Sequence, residues 1–143
     1  MDKQRTAYAT LTLTLGLLLP SLGLAQEKFE GEELFGEWEV VQMVFKGKRQ
    51  APEKGKEHIK FERGGISLSY GGARAYAPIK CTFRPGEFDI TAEPFAKFDI
   101  KAKYEIEGNR LRVIWREEGE RPTDFDALKD KGLTLRVLER VAK

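Results

Sequence analysis

His58 is the only histidine and Cys81 the only cysteine of this 143-residue chain, so the side chains that most often carry nucleophilic, proton-transfer or metal chemistry occur once each. Ser-His-Asp and Cys-His catalysis both require a positioned base beside the nucleophile. His58 instead falls at a polar position of an alternating segment, and the several convergent ligands that a metal site needs are missing around it. The same outward parity argues against haem ligation through His58. Glu117, Glu118 and Glu120, with Asp124 and Asp126, have the composition of a hydrolase acid/base pair, but they occupy a charged connection with no apolar pocket to raise one pKa. Gly64-Gly65 and Gly71-Gly72 read as hairpin turns and not phosphate cradles, because no helix follows either pair. Arg110, Arg112 and Arg116 form a basic stripe whose expected partners are carboxylates on adjacent strands. No catalytic set, metal site or cofactor emerges, and the chain reads as a binding protein, not an enzyme.

The elements that would position a binding site are strands. Apolar and polar residues alternate with period two, the pattern of strands with one dry and one wet face. Over residues 97–106, Phe98, Ile100, Ala102, Tyr104 and Ile106 share one face, while Lys97, Asp99, Lys101, Lys103 and Glu105 share the other. A slip of one residue would bury those charges, so the register is strongly fixed. The same reading turns inward Ile59 and Phe61; Ile66, Leu68 and Tyr70; Ile79, Cys81 and Phe83; Phe88 and Ile90; Leu111, Val113 and Trp115; and Leu133, Leu135 and Val137. With Gly36 to Lys46, where both parities are apolar and a bulge, a bend or two-sided burial is expected, the count is eight strands. Short turns at Arg63-Gly64-Gly65, Tyr70-Gly71-Gly72, Arg84-Pro85-Gly86 and Glu107-Gly108-Asn109 make neighbours antiparallel. One apolar face per strand suits a single sheet curled into an up-and-down barrel. A helical turn within Gln26 to Leu34 would close one end, and Thr123 or Asp124 is placed to cap a short helix.

Residues 1–25 read as an export signal. Lys3 and Arg5 precede an uncharged stretch from Ala7 to Ala25, Pro20 and Gly23 break it, and small residues at Gly23 and Ala25 suit cleavage before Gln26. An uncleaved anchor is the competing reading, since the stretch approaches the roughly 20 residues that span a bilayer; the breakers and the small-residue exit favour cleavage. No cysteine adjoins the cut to carry a lipid. The whole chain has 25 Lys and Arg against 23 Asp and Glu. Losing Asp2, Lys3 and Arg5 with the leader leaves a nearly neutral domain, residues 26–143, which excludes nucleic-acid binding by charge. Periplasmic or extracellular location, a monomer and no membrane span after cleavage follow as expectations. A lone thiol forms no internal disulfide, and the parity of Cys81 with Ile79 and Phe83 places it inside.

Gly36-Glu37-Trp38 on the first strand and Leu138-Glu139-Arg140 on the last resemble the ends of lipocalin-type barrels, in which an arginine packs over the tryptophan and closes the barrel. With Phe88-Asp89-Ile90-Thr91, Tyr104 to Leu111 and Glu120-Arg121-Pro122-Thr123-Asp124-Phe125, the chain is similar to a small lipocalin-like domain family of planctomycetes and related bacteria. The resemblance implies a calycin-type barrel and assigns no reaction. One tension lies within it: Arg140 shares parity with Arg136 and Leu138, not with Leu135 and Val137.

For function, Ala73, Ala75 and Ala77 precede Ile79 and Cys81 on one parity and would leave interior volume. Tyr70, Ala75, Ala77, Cys81, Ala102, Tyr104 and Trp115 are the expected lining of a pocket for a small apolar or amphipathic ligand, with Gly36, Trp38 and Arg140 structural. The alternative is a protein-interaction module, an inhibitor or envelope assembly factor, with a solid core and contacts through Glu27 to Leu34 and Arg121 to Leu128.

Overall fold

The structure is a computed structural model describing residues 30–74, 79–90, 99–116 and 118–142. A single 3-10 turn, Glu32–Leu34, precedes strands β1 (Gly36–Phe45), β2 (Lys48–Gln50), β3 (Glu57–Glu62), β4 (Gly65–Tyr70), β5 (Ala73–Arg74), β6 (Ile79–Arg84), β7 (Glu87–Ile90), β8 (Ile100–Glu107), β9 (Arg110–Arg116) and β10 (Leu133–Arg140). Eight of them close a barrel in the order β1, β3, β4, β6, β7, β8, β9, β10, with β10 pairing back onto β1. Every ladder is antiparallel, and β2 and β5 are short additions beside β1 and β4. The expected fold class, an eight-stranded antiparallel up-and-down barrel with a short helical turn before it, is the one observed.

Burial follows the alternation in β3, β6, β7 and β8, where every second residue is dry and the outer residues between them carry charge or hydroxyl. The interior core joins Trp38, Val40, Phe61, Phe83, Phe88, Leu111 and Leu138. Its aromatic rings meet edge-on or tilted, with Phe61 and Phe88 at 5.8 Å between centroids, the geometry favoured by the ring quadrupole.

β10 departs from the sequence expectation. Leu138 pairs with Leu111 and with Val40, both interior, so the inward parity is Thr134, Arg136, Leu138 and Arg140. Leu133, Leu135 and Val137, expected inside, face outward. Leu133 and Leu135 are covered because the connection between β9 and β10 folds over them: Val44, Ile114, Ala127 and Leu133 form a second core, with Phe125 and the partly buried Leu135 packed against it. β1 serves both cores through a register shift between Val40 and Gln42, after which Val44 opposes Leu135 on the outer face. The covering connection forms no helix at Thr123 or Asp124. Asp124, Asp126 and Asp130 each accept a hydrogen bond from the backbone N–H two residues on, a run of Asx turns that competes with helix.

Arg121 fastens this connection to the barrel. Its guanidinium donates to the Ala102 and Phe88 carbonyls and reaches the Asp89 carboxylate at 2.6 Å, which also accepts from Arg84 at 2.6 Å. Burial opposes the ionisation of Asp89, yet the hydrogen bonds from Arg84 and Arg121 outweigh it and hold the carboxyl below its ordinary value near 3.8. On the outer face, Arg112 pairs with Glu105 and Arg110 with Glu139 across adjacent strands, and Arg116 reaches Asp130. Phe125 lies between two cations, 4.6 Å from the Arg112 guanidinium and 5.5 Å from the Lys103 ammonium.

At the closed end Trp38 is fully buried, and the Arg140 guanidinium stacks 4.1 Å from its ring centre. Trp38 donates its indole N–H to the Leu34 carbonyl at 2.7 Å, while Arg140 donates to the carbonyls of Phe35 and Glu33, each at 2.9 Å. Carbonyls at the end of the 3-10 turn, which have no partner within it, are thereby satisfied. Gly36 stands at φ +123°, which strains any other residue, and a Cβ there would lie 3.1 Å from the Arg140 guanidinium and press on it.

The stack and the Asp89 fastening can each be tested by unfolding. Trp38→Ala and Arg140→Ala, measured in urea, lose a shared stack of about 1–2 kcal/mol, so the double variant is less destabilised than the sum of the singles; additive losses would show no direct coupling. Asp89→Asn lowers stability by about 2 kcal/mol at neutral pH. Because the folded carboxyl titrates below its unfolded value, its contribution is complete above pH ~4 and disappears as pH falls through the folded value. The gap between wild type and the Asp89→Asn variant in acid-to-neutral melting curves must therefore narrow below pH ~4.

Candidate functional site

A cavity of about 220 Å³ lies inside the barrel, toward the end opposite the Trp38–Arg140 stack. Its wall comprises Phe61, Phe88 and Val113 at the deep side, with Ile59, Ile66, Leu68, Ile79, Ile90, Ile100, Trp115 and Arg136 around the rest. Each apolar residue arrives by the inward parity of its strand. The volume falls between the ~150 Å³ that holds benzene and the ~300 Å³ where drug-sized pockets begin, so it suits a molecule on the order of ten non-hydrogen atoms.

Among the described residues, Arg136 is the one charged residue in this wall. It points inward because β10 pairs its position with Val113 on one side and Met43 on the other. Its guanidinium lies 4.9 Å from the Trp115 ring centre, where cation and indole face attract. Glu57, on the inward parity of β3 with Ile59 and Phe61, stands with its Oε1 at 2.8 Å from Arg136 Nε, and each side chain is about a quarter exposed (24% and 23%). The separation makes this a charge pair, and among the described residues the buried Nε–H has no acceptor in line. The link spans the region where β1 leaves β3: their ladder ends at Glu39 and His58, while β1 continues along β10 to Phe45.

The residues expected to line a pocket are distributed differently. Trp115 is in the cavity wall. Cys81, Ala102 and Tyr104 are buried in the core beside it, Tyr104 donating to Glu33 at 2.5 Å near the closed end. Burial first, and then Glu33, pushes the Tyr104 phenol well above its ordinary value. Tyr70 is 56% exposed and lies opposite Glu57 in the ladder. Ala75 and Ala77 lie outside the described residues, and Ala73 is exposed on β5. Gly36, Trp38 and Arg140 come together as described.

Sequence reasoning does not reach Arg136 and Glu57. The signal is present in the tension over Arg140: an arginine that must reach Trp38 fixes the inward parity of the last strand and brings Arg136 in with it. His58 is bound to Glu37 at 2.6 Å on the outer face, and among the described residues no three His, Cys, Asp or Glu side chains gather as a metal-binding group. Asp124 is paired with Lys129 at 2.5 Å.

Cavity and closure together define a small antiparallel barrel compatible with the lipocalin-like class. Comparison with protein-family models, with curated proteins and with solved structures gives no match.

Cys81 provides a check on the interior register. It pairs with Ile90, a cavity-wall residue, and burial together with the Asp89 charge pushes its thiol up to about 12. Native protein must react slowly with thiol reagents and unfolded protein quickly. Cys81→Ser is expected to cost about 1–3 kcal/mol in chemical denaturation, more than Cys81→Ala, because it buries a hydroxyl.

Proposed function

We propose that this protein is an exported, non-enzymatic barrel of the lipocalin-like family it resembles, acting as a monomer that holds a small apolar or amphipathic molecule in its interior. The observation that carries this reading is the 220 Å³ cavity: packed protein interiors leave few voids larger than a water molecule, and this one is walled by side chains that water wets poorly. Export rests on residues 1–25, and the location is periplasmic or extracellular. Family membership rests on the ordered segments from Gly36 to Arg140.

The interaction-module reading loses support from the same structure. Arg121, Pro122 and Ala127 of its proposed contact face the barrel itself, and Leu128 is the large apolar side chain left exposed there. In the other segment, Leu34 is buried and Glu33 is engaged by Tyr104.

Octanol, with about the right atom count for the volume, is the probe. Trp115 in the wall and Trp38 at the far end are the only tryptophans, so binding reads out as a change in Trp115 emission. Val113→Phe fills the space: it is expected to weaken octanol binding by about tenfold or more while the melting temperature holds or rises, since added burial in a void stabilises. A barrel that ignores octanol, and that loses about 1–3 kcal/mol to Val113→Phe through overpacking, would overturn the reading.

A further inference from the structure

We propose that the interior ligand is a small anionic amphipath, a monocarboxylate with an apolar tail, whose carboxylate is held by Arg136. This rests on the interior being a ligand site and goes on to name the ligand's chemistry.

Three observations converge. First, among the described residues Arg136 is the single charged residue of an otherwise apolar wall, and its inward aim is enforced by the register that the Trp38–Arg140 stack locks, further along the same strand. Second, the donors of Arg136 are divided. A guanidinium carries five N–H groups in a planar fork that matches a carboxylate. Glu57 stands at the buried Nε, 2.8 Å away, so the terminal Nη groups are the part of the fork that a carboxylate in the cavity would meet. Third, the two partners are placed unequally. Arg136 is in the cavity wall and Glu57 is not, so a head group seated inside meets the cation first. An ammonium would meet repulsion there, and a hydroxyl would gain a neutral hydrogen bond, roughly half as strong as one to an ionised acceptor. The volume then leaves room for a carboxylate and a tail of several carbons, packed between Phe88, Ile90 and Val113. Glu57 competes with the ligand for Arg136, so the site is tuned for exchange and not for permanent retention.

The test uses octanoate, octanol and octylamine, which share a tail length and differ in charge, with Trp115 emission and titration calorimetry at neutral pH. Wild-type protein is expected to bind octanoate about tenfold or more tighter than octanol, with octylamine weakest. Arg136→Met keeps octanol binding and erases the preference for octanoate. Glu57→Gln removes the competitor and tightens octanoate several-fold. Because Arg136→Met leaves Glu57 unpaired and so threatens folding, Arg136→Met/Glu57→Gln, which removes both charges together, is measured beside it; the same loss of preference with octanol binding intact is expected. Equal affinity for octanoate and octanol in wild type, or a preference that survives either Arg136→Met protein, overturns the carboxylate assignment while leaving the interior site standing. Failure of all three probes to bind wild type overturns both.

Discussion

The placement of Arg140 over Trp38 is the constraint on which the barrel depends. It lies at the seam where the last strand meets the first, beside a glycine whose positive φ strains any other residue, and it is tied to the carbonyls of the turn that covers the barrel end. Antiparallel pairing with a side-chain period of two means that fixing one residue fixes every other residue on the strand. Once Arg140 lies over Trp38 at the barrel end, Leu138 and Arg136 take the inward parity, and Leu133 and Leu135 the outward one. A contact that looks local therefore decides which face of β10 meets the cavity and which meets the covering connection.

The covering connection makes that arrangement physically tenable. Leucines turned outward would be exposed, but Ala127 and Phe125 close over them, and Arg121 holds the connection down through Asp89 and two backbone carbonyls. The segments Phe88 to Thr91 and Glu120 to Phe125 are thus two sides of one fastening. Their joint presence in the sequence reflects a contact, with the arginine of one reaching the carboxylate of the other across a separation of 32 residues.

Much of the fold is legible in the sequence because most strands are wet outside: β3, β6, β7 and β8 alternate charge or hydroxyl with apolar residues, and periodicity then reports the interior directly. β10 misleads for the complementary reason. Its outer face is as dry as its inner one, so the apolar parity marks the wrong core, and Arg136 reads as a surface charge. β1 is ambiguous for the same cause, and its bulge resolves the ambiguity by giving Val40 to one core and Val44 to the other. Glu57 looks like the polar edge of a connection, and only the chain's path across the barrel brings it to Arg136. The sequence places the cavity beside small side chains around Ala75 and Ala77. Among the described residues its wall is built from branched and aromatic side chains, and a void between large residues leaves no compositional trace.

The seam also sets the orientation of the whole domain. Val141 donates to the Glu37 carbonyl at 3.0 Å, so the outgoing chain leaves beside the place where the incoming chain enters β1, at the stoppered end of the barrel. A tether or neighbouring domain joined to either side would attach at that end. The cavity wall with Arg136 lies toward the other end, away from both of these points.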